Sequence, residues 1–548
     1  CGIKKCVMYL CEVKSRQKGK VYKSYFIRES YRSERGPRAR TICNVTALPE
    51  EVRELIRLGL QGKRVAEVEA LGLEEQSDFG GLAVLREAWE RWGLEEVLAS
   101  VEDPKKRKLL QALIFGRILF PCSKLSLKEE ARGTLLAQAC SLEKSEGFEE
   151  EDLYRAMDGL NGVWSRIERG LFRRAFSSGV RLVLYDLSST YFEGEGPKGL
   201  ARYGYSRDHR EERPQVILAV ATDAEGIPIH VEVLRGNRAD STTLPGLLVT
   251  LRRRLGIAKA VFVFDGGIRS FFNLEVLTGM ELGYVSWATR AQLQELVDKL
   301  PRDRQPEIWD RTEGMEVEKD GLRYVIAGGE WRAKRDRERR EARIAKAKLL
   351  LEEFKRNARK GEDAVRLGSR VGRMLERCKA HKYFRYGIDG EGRFWWKLHE
   401  EEIAKEEATD GWYLLETNLL PTEASAKEVL AHYQNLGEVE QAFCELKSYL
   451  EVRPVFHWRP DRVRNHVRIC FLAYWMTARL AAEWSKLGVF EHVPRLLRRL
   501  QTIRLGHLSV KGKPVARLLT KIPPELNRLL GKLHLLPIFS QPPGWATL

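Results

Sequence analysis

Three acidic residues, far apart in the sequence, stand in contexts suited to holding a metal ion. Asp186 interrupts the apolar run Arg181-Leu-Val-Leu-Tyr-Asp-Leu-Ser188. Asp265 ends Val261-Phe-Val-Phe-Asp265, just before Gly266 and Gly267, and Glu440 lies in a helical stretch between Tyr433 and Lys447. A carboxylate in a strand that otherwise reads as buried is destabilising unless it is paired or bound to a cation. Two such acids on neighbouring strands, with a third on a helix, suit divalent metal and phosphodiester chemistry. Each acid alone also has a plainer reading: a strand Asp held by backbone, a turn before Gly-Gly, a solvated helix Glu. Their joint placement is what favours the chemistry.

That placement depends on the elements between them. Four strand-like runs follow residue 180: Leu182–Leu187, Val216–Thr222, Ile229–Leu234 and Ala260–Asp265. The first three lack intervening helices and predict an antiparallel meander. Helical stretches at Thr243–Leu255 and Phe271–Thr278 then lead to the fourth strand and to a fifth, Gly283–Thr289. Helical crossovers make strands four and five parallel to the first. The expected fold is α/β: a ribonuclease-H-like mixed five-stranded sheet with helices on both faces, interrupted by a long insertion and preceded by a mainly helical N-terminal region. Asp265 then falls at the carboxyl end of a strand beside that of Asp186, where ligands commonly sit. On the later helix, Tyr433, Leu436, Glu440 and Lys447 recur at steps that predict one shared face.

The rest of the chain reads more simply. Residues 20–48 predict a basic β-hairpin followed by a helix, Glu50–Leu60, opened by Pro49. This segment is read equally as a DNA-binding module or a solvated hairpin. Residues 80–175 show helical periodicity. The insertion carries an Arg/Lys-dense helix from Trp331 to about Lys360 and a strand-like Gly392–Leu398. Trp412–Glu416 predicts a strand, and 424–450 and 461–486 predict helices. The last 55 or so residues are basic and read as loosely structured.

With 548 residues, 94 Lys and Arg against 77 Asp and Glu, the formal net charge is +17. Such an excess points to a polyanionic partner, nucleic acid first. No apolar run reaches the roughly 18 residues of a membrane span and no signal-peptide pattern opens the chain, so the expected setting is cytoplasmic, with no membrane partner. Nine scattered cysteines fit a reducing compartment. The chain begins with Cys1 rather than Met, which is expected of a fragment or processed product.

Taken together, several motifs resemble those of one family. They are Tyr185-Asp-Leu-Ser-Ser-Thr-Tyr-Phe-Glu193, Gly204-Tyr-Ser-Arg-Asp208, Gly226-Ile-Pro-Ile229 with Gly236-Asn237 and Asp240-Ser241, Val263-Phe-Asp-Gly-Gly-Ile268, and Asp410-Gly-Trp-Tyr-Leu-Leu-Glu-Thr-Asn418. The most specific is Tyr433 to Lys447 followed by Leu450-Glu-Val-Arg-Pro-Val-Phe-His457. The chain resembles the DDE transposases of bacterial insertion sequences, of the insertion-sequence-four type, whose helix motif is Y-x2-R-x3-E-x6-K. The resemblance implies that Asp186, Asp265 and Glu440 are the catalytic, metal-binding triad, holding two Mg²⁺ ions, with Mn²⁺ as a substitute. It implies that Tyr433 and Lys447 contact DNA, with Arg453 offered for the arginine that the motif has where this chain has Leu436. The implied partners are double-stranded DNA, as element ends and target, and a second copy of the chain in the synaptic complex.

Six regions follow from this reading. Residues 1–75 form a hairpin-plus-helix DNA-binding region and 76–178 a helical, end-binding region. The core spans 179–290 and 411–490, split by the insertion 291–410, and 491–548 is a basic tail used for dimerisation. The implied activity is cleavage at element ends and transfer of their 3′-OH strands into target DNA. The alternatives are a nuclease of the same fold without strand transfer, and a non-catalytic DNA-binding relative.

Overall fold

Aromatic and β-branched residues at Val21–Ile27 favour extended backbone, and a computed structural model of the chain builds them into a strand. It describes residues 7–17, 20–33, 36–63, 65, 67–142, 148–297, 314–357, 363–541 and 543–546. Two units divide the chain, one of Cys1–Ser77 with Arg504–Lys521, the other of Asp78–Ile503 with Ile522–Thr547. In the first, β1 (Val7–Gln17), β2 (Lys20–Ser33) and β3 (Gly36–Asn44) form an antiparallel sheet. The predicted hairpin is its β2–β3 pair, and the helix Glu50–Leu60 follows as expected. β4 (Leu71–Asp78) belongs to a second sheet with Arg504–Val510 and Lys513–Leu519. The region after residue 500 is therefore ordered rather than loose: in the second unit, Leu526, Leu530 and Phe539 are buried from two short helices, Pro524–Lys532 and Leu536–Ser540.

The second unit is built on a sheet whose first five strands match the sequence reading. They are β5 (Leu182–Tyr191), β6 (Gln215–Thr222), β7 (Pro228–Arg235), β8 (Val261–Phe264) and β9 (Gly283–Trp287). β5, β6 and β7 are antiparallel, while β8 runs parallel to β5 and β9 parallel to β8. The expectation of five strands is nonetheless corrected, because the sheet has eight. β10 (Met315–Lys319), β11 (Leu322–Gly328) and the returning β14 (Trp412–Thr417) extend it in the order β10-β11-β14-β9-β8-β5-β6-β7. β9 would otherwise end the sheet with unpaired backbone groups, and antiparallel pairing with β14 satisfies them.

Strand alternation gives the sheet two different faces. Val183, Tyr185 and Leu187 of β5 join Ile217, Phe262 and Phe264 in one apolar cluster with the helices Leu244–Thr250 and Phe271–Gly279. The intervening Leu184, Asp186 and Ser188 therefore point the other way, where the helix Leu436–Cys444 packs on β5. The insertion has its own core. Ala347 and Leu351 of the helix Glu330–Asn357 pack with Leu367, Val371, Tyr383 and Phe394, around the hairpin of β12 (Phe384–Ile388) and β13 (Phe394–Leu398). Trp396 contributes there, its ring 5.6 Å from that of Phe384.

The long helix Pro460–Lys486 is buried all round from Ile469 to Ala478, and Trp475 on it meets Trp92 edge-to-face at 5.6 Å. Among the described residues, no single helix is long and apolar enough to cross a membrane.

Phe262 is 1% exposed at the centre of the cluster beneath the sheet. Its truncation, Phe262→Ala, is expected to destabilise the second unit by about 3–5 kcal/mol through lost burial and an unfilled cavity. Chemical denaturation followed by tryptophan fluorescence measures this, and a loss under about 1 kcal/mol would show that the cluster is not a packed core.

Candidate active site

Register brings the two aspartates together. Tyr185 of β5 is paired with Phe264 of β8, so the next residue on each strand, Asp186 and Asp265, leaves the sheet at the same level. Phe262 and Phe264 face the apolar cluster, which turns Asp265 to the opposite face, that of Asp186. The chain then turns: Gly266 N–H donates to Asp265 Oδ1 at 2.6 Å, and Ile268 N–H to the Asp265 carbonyl at 3.0 Å. Neither Gly266 nor Gly267 has positive φ, so their value is space rather than a left-handed turn. A β-carbon on Gly267 would lie 3.3 Å from Asp240 Oδ2, and one on Gly266 3.6 Å from Trp287 Cβ.

The helix Leu436–Cys444 supplies the third acid. Leu436, Val439, Ala442 and Phe443 are buried on its sheet-facing side, which leaves Glu440 exposed at the margin. Asp186, Asp265 and Glu440 line one cleft of about 360 Å³, together with Asp240, Arg207, Lys447 and Arg453.

The single helical face expected from Tyr433 to Lys447 is corrected. The stretch divides into Ala426–Gln434, Leu436–Cys444 and a wider π-turn, Glu445–Tyr449. Leu436 lies in the buried stripe. Tyr433 stacks on Trp287, rings 6.0 Å apart and 13° from parallel. The π-turn changes the phase at which Lys447 leaves the helix, as such turns often do at functional sites.

Cations and anions in this cleft are unevenly matched. Lys447 Nζ donates to Asp208 Oδ1 at 2.8 Å, and Arg453 pairs with the same oxygen. Arg207 donates to Asp240 Oδ2 at 2.6 Å. Burial holds the Lys447 ammonium below its ordinary pKa range, and Asp208 opposes that shift. By contrast, none of Asp186, Asp265 and Glu440 forms a salt bridge among the described residues. Burial pushes the Asp186 carboxyl up to about 7; the Leu187 N–H opposes this, and the charges of Asp265 and Glu440 add to it. Burial first, then Asp265, also raises the Tyr433 phenol.

Three carboxylates without a salt bridge in one cleft suit a hard divalent cation. Among the described residues, no three His, Cys, Asp or Glu side chains are grouped tightly enough to hold one ion together.

Sequence reasoning assigned no role to Asp208, Trp287 or Arg332. Asp208 orders both Lys447 and Arg453. Trp287 is the tryptophan against Gly266 and Tyr433. A weak signal existed for Asp208 in the Gly204–Asp208 motif. None existed for Trp287 or Arg332, whose contacts cross the insertion.

The raised Asp186 carboxyl carries a pH signature. The folded protein keeps a proton there that the unfolded chain releases at about pH 4, so stability falls as pH rises from about 4 to 7 and the full loss is present above that. In EDTA, Asp186→Asn is expected to raise the melting temperature at pH 8, with the gain shrinking toward pH 4. Scanning calorimetry at the two pH values tests this, and an equal shift at both would refute the assignment.

Comparison with known families agrees with this geometry. The model for the transposase DDE domain matches residues 182–476, more than half of the chain and inclusive of all three carboxylates. The model for the N-terminal domain of IS1634 family transposases matches residues 10–70. No curated protein matches the chain. A DDE-domain match across this sheet and its insertion, preceded by a transposase N-terminal domain, means that the chain belongs to the DDE transposases of insertion sequences.

Proposed function

We propose that Asp186, Asp265 and Glu440 are the catalytic carboxylates and hold two Mg²⁺ ions for cleavage of element ends and transfer of the freed 3′-OH strands. The observation that carries this reading is the imbalance of the cleft: its cations are matched by Asp208 and Asp240, while these three acids form no salt bridge among the described residues. Bound metal would supply Lewis-acid activation of the attacking oxygen and stabilisation of the leaving one. Asp186, on the strand between β6 and β8, would hold its share of the metal against the sheet. Tyr433, fixed by its stack on Trp287, would bear on the DNA strand beside that centre.

Lys447 and Arg453 would bind phosphate. Asp208 pre-orders both cations, so less side-chain freedom is lost when DNA arrives. Leu436 is buried in the helix stripe and makes no phosphate contact in this scheme. Strand transfer requires two ends in one complex, and a homodimer acting on double-stranded DNA in a cytoplasmic, nucleoid-associated setting is the corresponding assembly. A ribonuclease-H-like ancestry of the core is supported by the strand order β9-β8-β5-β6-β7 and its mixture of parallel and antiparallel pairs.

The test uses pre-cleaved element-end duplexes, target plasmid and Mg²⁺. Joined products are expected from the parent, and a pure nuclease would yield none. Asp186→Asn, Asp265→Asn and Glu440→Gln are each expected to lower cleavage and joining by at least about a thousandfold while retaining end binding. Undiminished activity in any of the three would remove that residue from the triad.

A further inference from the structure

A second cleft, of about 310 Å³, is lined by Trp287, Arg332, Arg335, Arg339, Arg340 and Tyr413, among others. Trp287 carries it toward the carboxylate cleft. Trp287 lines it and stacks on Tyr433, and its Cβ is 3.6 Å from a β-carbon built on Gly266, beside Asp265. Arg332 comes from the first turn of the insertion helix Glu330–Asn357. Its guanidinium lies over the Trp287 ring at 4.7 Å and over the Tyr413 ring at 5.0 Å. Two aromatic contacts fix a cation in orientation without neutralising it.

The acids of this cleft are largely committed elsewhere. Asp410 and Glu407 pair with Arg340, and Glu406 with Arg290 and Lys382. Asp336 approaches Arg332 only to 3.9 Å. The Nε atoms of both Arg332 and Arg335 are buried with no hydrogen-bond partner among the described residues. Burying guanidinium donors unpaired is costly, and an anion with several oxygen acceptors would satisfy them. Tyr433 faces Arg332 as well as Asp265 and Glu440, so this positive charge lies within electrostatic reach of the carboxylate cleft.

We propose that Arg332, with Arg335 beside it, is a positioning residue that grips a backbone phosphate of the DNA strand next to the cleavage point. The inference rests on the transposase reading above. In it, the insertion supplies a phosphate contact that the Glu440 helix, with Leu436 turned into the core, does not.

The experiment is a cycle between protein and DNA. Full-length parent, Arg332→Ala and Arg332→Lys are titrated, without divalent metal, with end duplexes taken from the inverted repeats flanking the gene. Each duplex carries one neutral methylphosphonate, stepped through the three phosphates on either side of the cleavage point. At one position the replacement is expected to weaken parent binding about tenfold, the size of a charge-assisted hydrogen bond, and to leave Arg332→Ala unaffected. Arg332→Lys should recover part of that sensitivity. If Arg332→Ala loses as much as the parent at every position, the contact does not exist and Arg332 merely supports the Trp287 stack, as a lowered melting temperature would report. If the parent neither binds these ends nor joins them to target, the transposase reading falls and the inference with it. Binding by the parent with unchanged sensitivity in Arg332→Ala overturns the inference alone.

Discussion

Asp186 occupies a half-buried position on the middle of a sheet, with two further carboxylates near enough to repel it and no basic side chain paired to it. In water the repulsion among three such groups would be small; beside an apolar sheet it is not. Burial, with the charges of Asp265 and Glu440, raises the Asp186 carboxyl to about 7. The arrangement is tolerable because the rest of the second unit is well packed: a continuous apolar cluster lies under the sheet, and a helix buried along its length lies over it. Strain concentrated at one point and compensated elsewhere is a common property of reactive sites.

The basic residues around that point follow from the same constraint. Lys447 and Arg453 line the same cleft as Asp186, Asp265 and Glu440 but form no salt bridge with them. Asp208, buried at 4% side-chain exposure, draws both aside. Arg207 is drawn off likewise by Asp240. The cleft thus holds its acids and bases partitioned: the cations pair with Asp208 and Asp240, and Asp186, Asp265 and Glu440 form no salt bridge among the described residues.

Much of this was legible in the sequence, for identifiable reasons. The strands β5 to β9 are short apolar runs bounded by polar turns, and the presence or absence of a helix between them dictates their relative direction. The aspartates stood out as acids inside such runs. Other features were not legible. The eight-stranded extent of the sheet depends on β10, whose pattern Met315-Glu-Val-Glu-Lys319 alternates but is short and charged, and on pairing across 84 to 94 residues from β11 to β14. The break in the Glu440 helix replaces one hydrogen-bond pattern by another with no proline or glycine at Glu445–Tyr449 to announce it. The column Tyr433–Trp287–Arg332–Tyr413 joins four elements, and no local periodicity encodes a contact of that kind.

β11 and β14 lie side by side, with Gly328 paired to Trp412, so the chain leaves the sheet after Gly328 and rejoins it at Trp412 on the adjacent strand. Neighbouring strands are about 4.8 Å apart, which makes the whole excursion between them a loop with its two feet together. Its length can therefore drift over evolutionary time without moving either foot, since closure entropy rises only slowly with loop size. Lineages of such elements are then free to remodel the excursion as their terminal sequences diverge, while the sheet that carries the acids stays the same.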